Sequence, residues 1–69
     1  MEVTLYTIGC QNCIQLEKML NEHNIKFSTV TDKQAMINKG FEEVPMLDVD
    51  GNTMNYYDAR KWVTDYEKQ

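Results

Sequence analysis

The chain has 69 residues and a net charge of −4, with seven Lys or Arg against eleven Asp or Glu, which holds one domain, residues 1–69, that buries only roughly 60% of the surface its unfolded form exposes. The basic residues are scattered from Lys18 to Lys68 without a cluster, so no patch can release counterions from a phosphate backbone and nucleic-acid binding is not expected. No stretch approaches the ~20 apolar residues of a membrane span, and the opening "MEVTLYTIG" has neither the basic start nor the long apolar run of a secretory leader; a cytoplasmic monomer is expected.

The run "EVTLYTI" is rich in β-branched and aromatic residues and predicts a strand over residues 2–8. Its near-continuous apolar character predicts burial on both faces. Gly9 breaks it. From Gln11 to His23 the apolar residues Cys13, Leu16, Met19 and Leu20 recur at helical spacing, and Asn24 suits a left-handed stop. "IKFSTV", residues 25–30, alternates Ile25 and Phe27 with polar residues and predicts a second strand. Thr31 and Gln34 fit a capping box that opens a short helix over 32–39, stopped by Gly40. "VPMLDV" predicts a third strand that starts at a proline, where a missing N–H is tolerable. Asp50-Gly51 is a two-residue hairpin signal leading back through "NTM". Asp58 is a good N-cap, and behind it Ala59, Trp62, Val63 and Tyr66 sit at i, i+3, i+4 and i+7, the stripe of an amphipathic helix. The order is β-α-β-α-β-β-α, an α/β chain whose first crossover should be parallel and right-handed and whose last two strands should pair antiparallel.

Cys10 and Cys13 are the two cysteines of the chain. A bridge between them is a poor staple, because stabilisation by a cross-link grows with loop length and this loop is minimal. In a reducing compartment such a pair points to catalysis or metal binding rather than architecture. Cys10 falls at the strand-to-helix junction, where free backbone N–H groups and the helix dipole favour negative charge. A thiolate there is stabilised, and the thiolate is the attacking species in thiol–disulfide exchange. Cys13, one turn into the helix, is more shielded yet within reach of Cys10. It suits the role of resolving thiol.

Other readings of the pair stay open. Both cysteines could be buried apolar residues without a role. A structural zinc site wants four ligands, and His23 is the other soft ligand of the chain; as a helix-end residue favoured by the dipole it has a simpler reading. A dimer could pool two pairs around a metal or an iron–sulfur cluster.

Taken together, the strand before "GCQNC", Val44-Pro45, the Asp50-Gly51 hairpin and the Asp58 helix start resemble the glutaredoxin-like branch of the thioredoxin fold over nearly the whole chain. "KGFEEVPML" is similar to the corresponding stretch of the NrdH-type redoxins, which reduce ribonucleotide reductase. The resemblance implies a thioredoxin-like, glutaredoxin-type fold: a four-stranded mixed sheet flanked by three helices. It implies a cis Val44–Pro45 bond beside the cysteines, with Val44 offering its backbone to an extended substrate in the manner of strand addition. Gly9, Gln11, Asn12, Val44, Pro45, Tyr56, Tyr57 and Asp58 are the expected substrate-binding residues around the Cys10–Cys13 pair. The implied activity is reduction of protein disulfides with no bound cofactor. Electrons would come from NADPH through thioredoxin reductase, or from glutathione.

Three departures bear on the reductant. Glutaredoxins carry a basic residue shortly before the first cysteine, where this chain has Thr7, Ile8 and Gly9. They have Pro-Tyr between the cysteines, where this chain has Gln11-Asn12. They have a Gly-Gly pair after the hairpin that lets glutathione approach the backbone, where this chain has Asn55-Tyr56. The departures favour a redoxin serving proteins directly, with a glutathione-dependent glutaredoxin as the alternative. Tyr6, Trp62 and Tyr66 are expected in the core, while Tyr56 and Tyr57 suit either hairpin packing or the groove. The methionines suit gap-filling, with Met46, straight after Pro45, a candidate for the groove wall. Glu42 and Glu43 are a solvated loop or a charge that repels acidic partners.

Overall fold

The structure, a computed structural model, describes residues 1–66; Lys68, the last of the scattered basic residues, lies outside them. Seven elements follow the predicted order: β1 (Val3–Tyr6), α1 (Gln11–Glu22), β2 (Ser28–Val30), α2 (Lys33–Asn38), β3 (Met46–Val49), β4 (Asn52–Met54) and α3 (Tyr56–Tyr66). The strands form one open mixed sheet in the order β2-β1-β3-β4. β1 pairs parallel with β2 and antiparallel with β3, and β3 pairs antiparallel with β4.

Alternation along β1 and β3 divides the interior in two. Val3, Leu5, Leu47 and Val49 point to the face covered by α1 and α3, where they pack with Leu16, Leu20, Ala59 and Val63. On the other face Tyr6 meets Phe41, which follows α2, edge to face at 4.9 Å. Lys39 at the end of α2 reaches Asp48 of β3 at 3.8 Å. Burial of β1 on both faces, expected from its apolar run, is met at Leu5 and Tyr6. Trp62 and Tyr66 are half-buried and pack against the rim of the main cluster, edge to face with each other at 5.4 Å.

Several boundaries differ from the sequence expectations, each for a local reason. β1 ends at Tyr6 rather than residue 8, although the Thr7 N–H still bonds to the Val30 carbonyl at 3.0 Å. The strand expected over 25–30 begins only at Ser28. Ile25 is spent on ending α1: Asn24 takes a left-handed φ of 56°, its N–H bonds to the Asn21 carbonyl, and the Ile25 N–H bonds to the Leu20 carbonyl at 3.0 Å. That is a Schellman motif with Asn24 in the left-handed position, closed by the apolar pair Leu20 and Ile25. α2 ends the same way, with Gly40 N–H on the Ile37 carbonyl and Phe41 N–H on the Met36 carbonyl.

The capping box expected from Thr31 is not formed. Asp32 caps α2 and its carboxylate accepts the Gln34 N–H at 2.9 Å, while the Gln34 side chain donates forward to Asn38. Asp58 does not cap α3. The helix starts two residues earlier, and the Asn55 side-chain oxygen accepts the Asp58 N–H at 2.9 Å. Asp58 sits inside the first turn, where its charge still complements the helix dipole. The hairpin forms at Asp50-Gly51 with φ of 52° and 91°, the two positive values a type I′ turn requires.

Candidate active site

The register brings four chain segments to one end of the sheet. β1 runs toward Cys10, and β2, parallel to it, ends at the same level. β3 begins there, with Met46 opposite Tyr6, so Val44 and Pro45 lie just beyond the paired strands. β4 runs back to the same end, with Met54 opposite Leu47, and delivers Asn55 and the start of α3. The Val44–Pro45 peptide bond is cis. Pro45 is fully buried and Val44 half-buried.

Cys10 is the N-cap of α1, with extended backbone angles of −69° and 169°. Its carbonyl accepts the Ile14 N–H at 2.9 Å and its sulfur accepts the Cys13 N–H at 3.1 Å. A sulfur at an N-cap takes the place of the usual Ser or Asp oxygen and satisfies one of the helix's unpaired donors. No acidic residue stands in the first turn of α1, so nothing there opposes an anion. Cys10 and Cys13 are joined in a disulfide with their Cα atoms 4.9 Å apart. The two sulfurs differ in access: Cys10 is partly exposed, and Cys13 is wholly buried.

Comparison with protein-family models, with curated proteins and with solved structures finds no match.

Gly9, Gln11 and Asn12 are exposed around Cys10. Gly9 has a φ of +78°, while a Cβ built there would meet nothing within 4 Å. Glycine is thus required by the backbone turn and not by a close neighbour. After the hairpin the two tyrosines part ways. Tyr56 is half-buried against the core, with the Arg60 guanidinium 5.4 Å above its ring. Tyr57 is 73% exposed and touches Tyr56 edge to face at 5.6 Å. Asp58 lines a groove of about 470 Å³ with Phe41, Glu42, Glu43, Met46 and Asn55.

His23 caps the far end of α1 as its C-cap residue. Ten residues of helix separate its level from Cys13, about 15 Å at 1.5 Å per residue, so one chain cannot bring it to the sulfurs. Among the described residues no three His, Cys, Asp or Glu side chains gather where a metal could be held. No helix among the described residues is long and apolar enough to cross a membrane.

The sequence reading passed over three contributors. Ile8 and Ile14, 52% and 59% exposed, flank Cys10 at two residues before and one helical turn after. Thr7 is buried and its hydroxyl oxygen accepts the Gly9 N–H at 3.1 Å. Its Thr-x-Gly spacing is the signature of a side-chain-to-backbone turn and was available in the sequence.

Proposed function

We propose that this chain is a small dithiol oxidoreductase that reduces protein disulfides, with Cys10 as nucleophile and Cys13 as resolving thiol. The observation that carries the reading is the unequal exposure of a joined pair: an accessible sulfur at a helix N-cap and a buried sulfur one turn behind it. The β2-β1-β3-β4 mixed sheet with three helices supports a thioredoxin-like, glutaredoxin-type architecture.

The reaction starts from the reduced pair. The Cys10 thiolate attacks one sulfur of the partner's disulfide, forming a mixed disulfide and expelling the other partner sulfur as a thiolate that takes a proton. Cys13 loses its proton and attacks the Cys10 sulfur. The mixed disulfide breaks, the second partner thiol leaves, and the Cys10–Cys13 disulfide remains. The partner has gained two electrons and two protons, and the chain has lost them. NADPH through thioredoxin reductase, or two glutathione molecules, would restore the dithiol in a reducing compartment such as the cytoplasm.

Two features favour protein partners over glutathione. Exposed Ile8 and Ile14 beside Cys10 offer apolar area that a protein surface can cover. Glu42, Glu43 and Asp58 make the groove acidic, and Lys39, also on its wall, is paired with Asp48. Neither cysteine lines this groove, but Met46 and Asn55 place it at the Cys10 end of the sheet, where its charge would oppose the two carboxylates of glutathione on approach.

The deciding experiment offers the oxidised protein either NADPH with thioredoxin reductase or glutathione with glutathione reductase. Reduction of the Cys10–Cys13 disulfide through thioredoxin reductase, followed by reduction of a protein disulfide, is expected. Efficient turnover with glutathione alone would make it a glutaredoxin. Visible absorbance or bound metal on the purified protein, with no disulfide turnover, would make it a carrier.

A further inference from the structure

We propose that Thr7 is a positioning residue that sets the acidity of Cys10. The inference rests on the reading above in taking Cys10 as the reactive thiol.

Thr7 belongs to the sheet through its backbone and to the active-site turn through its side chain. Its N–H bonds to the Val30 carbonyl at 3.0 Å and continues the β1–β2 ladder one residue past the strand. It is 6% exposed, the buried polar residue among the described ones. Its hydroxyl oxygen accepts the Gly9 N–H at 3.1 Å, closing a turn over Ile8. Gly9 then turns the chain at a φ of +78°, and Cys10 follows directly as N-cap of α1. The chain between strand and helix is only Thr7, Ile8, Gly9 and Cys10. With Ile8 and Gly9 exposed, the Thr7 hydroxyl is the side-chain anchor that the sheet offers this turn.

The consequence falls on the Cys10 sulfur. In the disulfide form this sulfur accepts the Cys13 N–H at 3.1 Å; in the reduced protein the same donor would stabilise a Cys10 thiolate only while the sulfur is held over the first turn of α1. Releasing the Gly9 N–H frees the turn, and that bond is then formed for less of the time. Stabilising the charged form lowers a thiol pKa, so loosening it raises the pKa. At any pH below the midpoint the thiolate fraction falls and attack slows. Well above the midpoint the rates converge.

The test compares the reduced wild type with Thr7→Val, which keeps the shape and removes the acceptor, and with Thr7→Ser, which keeps the acceptor. The rate of Cys10 alkylation by iodoacetamide is followed against pH. In Thr7→Val the midpoint should move up by about half a unit, which makes alkylation about threefold slower below it. Thr7→Ser should keep the wild-type midpoint. A merely structural role would lower the melting temperature and leave the midpoint in place, and that result overturns the proposal. So does an upward shift of the same size in Thr7→Ser. If Thr7→Val does not fold, exchange of the Gly9 amide in the wild type decides: protection supports the hydrogen bond, and exchange at the rate of an unstructured peptide overturns it. Alkylation needs no disulfide substrate, so a protein that fails to turn over disulfides overturns the proposed function without altering this comparison.

Discussion

At the scale of single residues, three predictions follow from exposure and packing. Limiting iodoacetamide near neutral pH should label Cys10 first, because Cys13 is fully buried, and mapping the adduct by mass spectrometry checks it. Dominant labelling of Cys13 would reverse the assignment of roles. Cys13→Ser should accumulate a mixed disulfide with a protein substrate, since the intermediate on Cys10 loses its intramolecular exit; Cys10→Ser should accumulate none, as seen on a non-reducing gel. The two tyrosines after the hairpin should behave differently. Tyr57 is exposed, so Tyr57→Ala should change stability by no more than about 0.5 kcal/mol while raising KM for protein disulfides. Tyr56 packs on the core beneath Arg60, so Tyr56→Ala should lower the melting temperature more. Equal thermal shifts would contradict the packing.

At the scale of elements, helix ends organise the fold, and they can be tested where structure and sequence disagree. Asp32, not Thr31, caps α2. Asp32→Ala should therefore cost about 1 kcal/mol in urea denaturation, while Thr31→Ala should cost much less. Asn55 caps α3 by accepting the Asp58 N–H, so Asn55→Ala should cost more than Asp58→Ala. At the end of α1, Asn24 holds a φ of 56°. Asn24→Val should cost about 1–2 kcal/mol, because a β-branched side chain crowds the backbone in the left-handed region, whereas Asn24→Gly should be neutral or better. The same reversal explains why β2 starts late: the chain must complete the Schellman bonds through Ile25 before it can extend.

At the scale of the whole molecule, the site exists because β1 lies between a parallel and an antiparallel neighbour. That arrangement sends Cys10, the Val44–Pro45 entry to β3 and the start of α3 to one end of the sheet. Leu5 and Leu47 pair across β1 and β3 at the centre and are fully buried. Leu5→Ala should cost about 2–5 kcal/mol, a large share of what a domain this small has, and circular dichroism should show a partly unfolded population. Reducing the disulfide should do far less, because the four-residue loop constrains the unfolded chain little and the main apolar cluster contains neither cysteine. A reduced protein that loses its helical signal would contradict this division of labour.

The sequence by itself determined what depends on near neighbours along the chain. The order of elements, the left-handed stop at Asn24, the Asp50-Gly51 turn and the placing of Cys10 ahead of Cys13 at a helix start all rest on contacts within about one helical turn. Residue type and spacing express such contacts directly. The structure corrected two helix starts, with Asp32 in place of its neighbour Thr31 at α2 and Asn55, three residues before Asp58, at α3, because several residues in each stretch can cap and local sequence does not rank them. Tertiary structure alone decided that Tyr56 packs inward and Tyr57 faces solvent. It also gathered Phe41, Met46 and Asp58 around one acidic groove and buried Thr7 beneath the turn that carries Cys10. These depend on which strands pair and in what register, and register is fixed by apolar faces meeting across long stretches of chain.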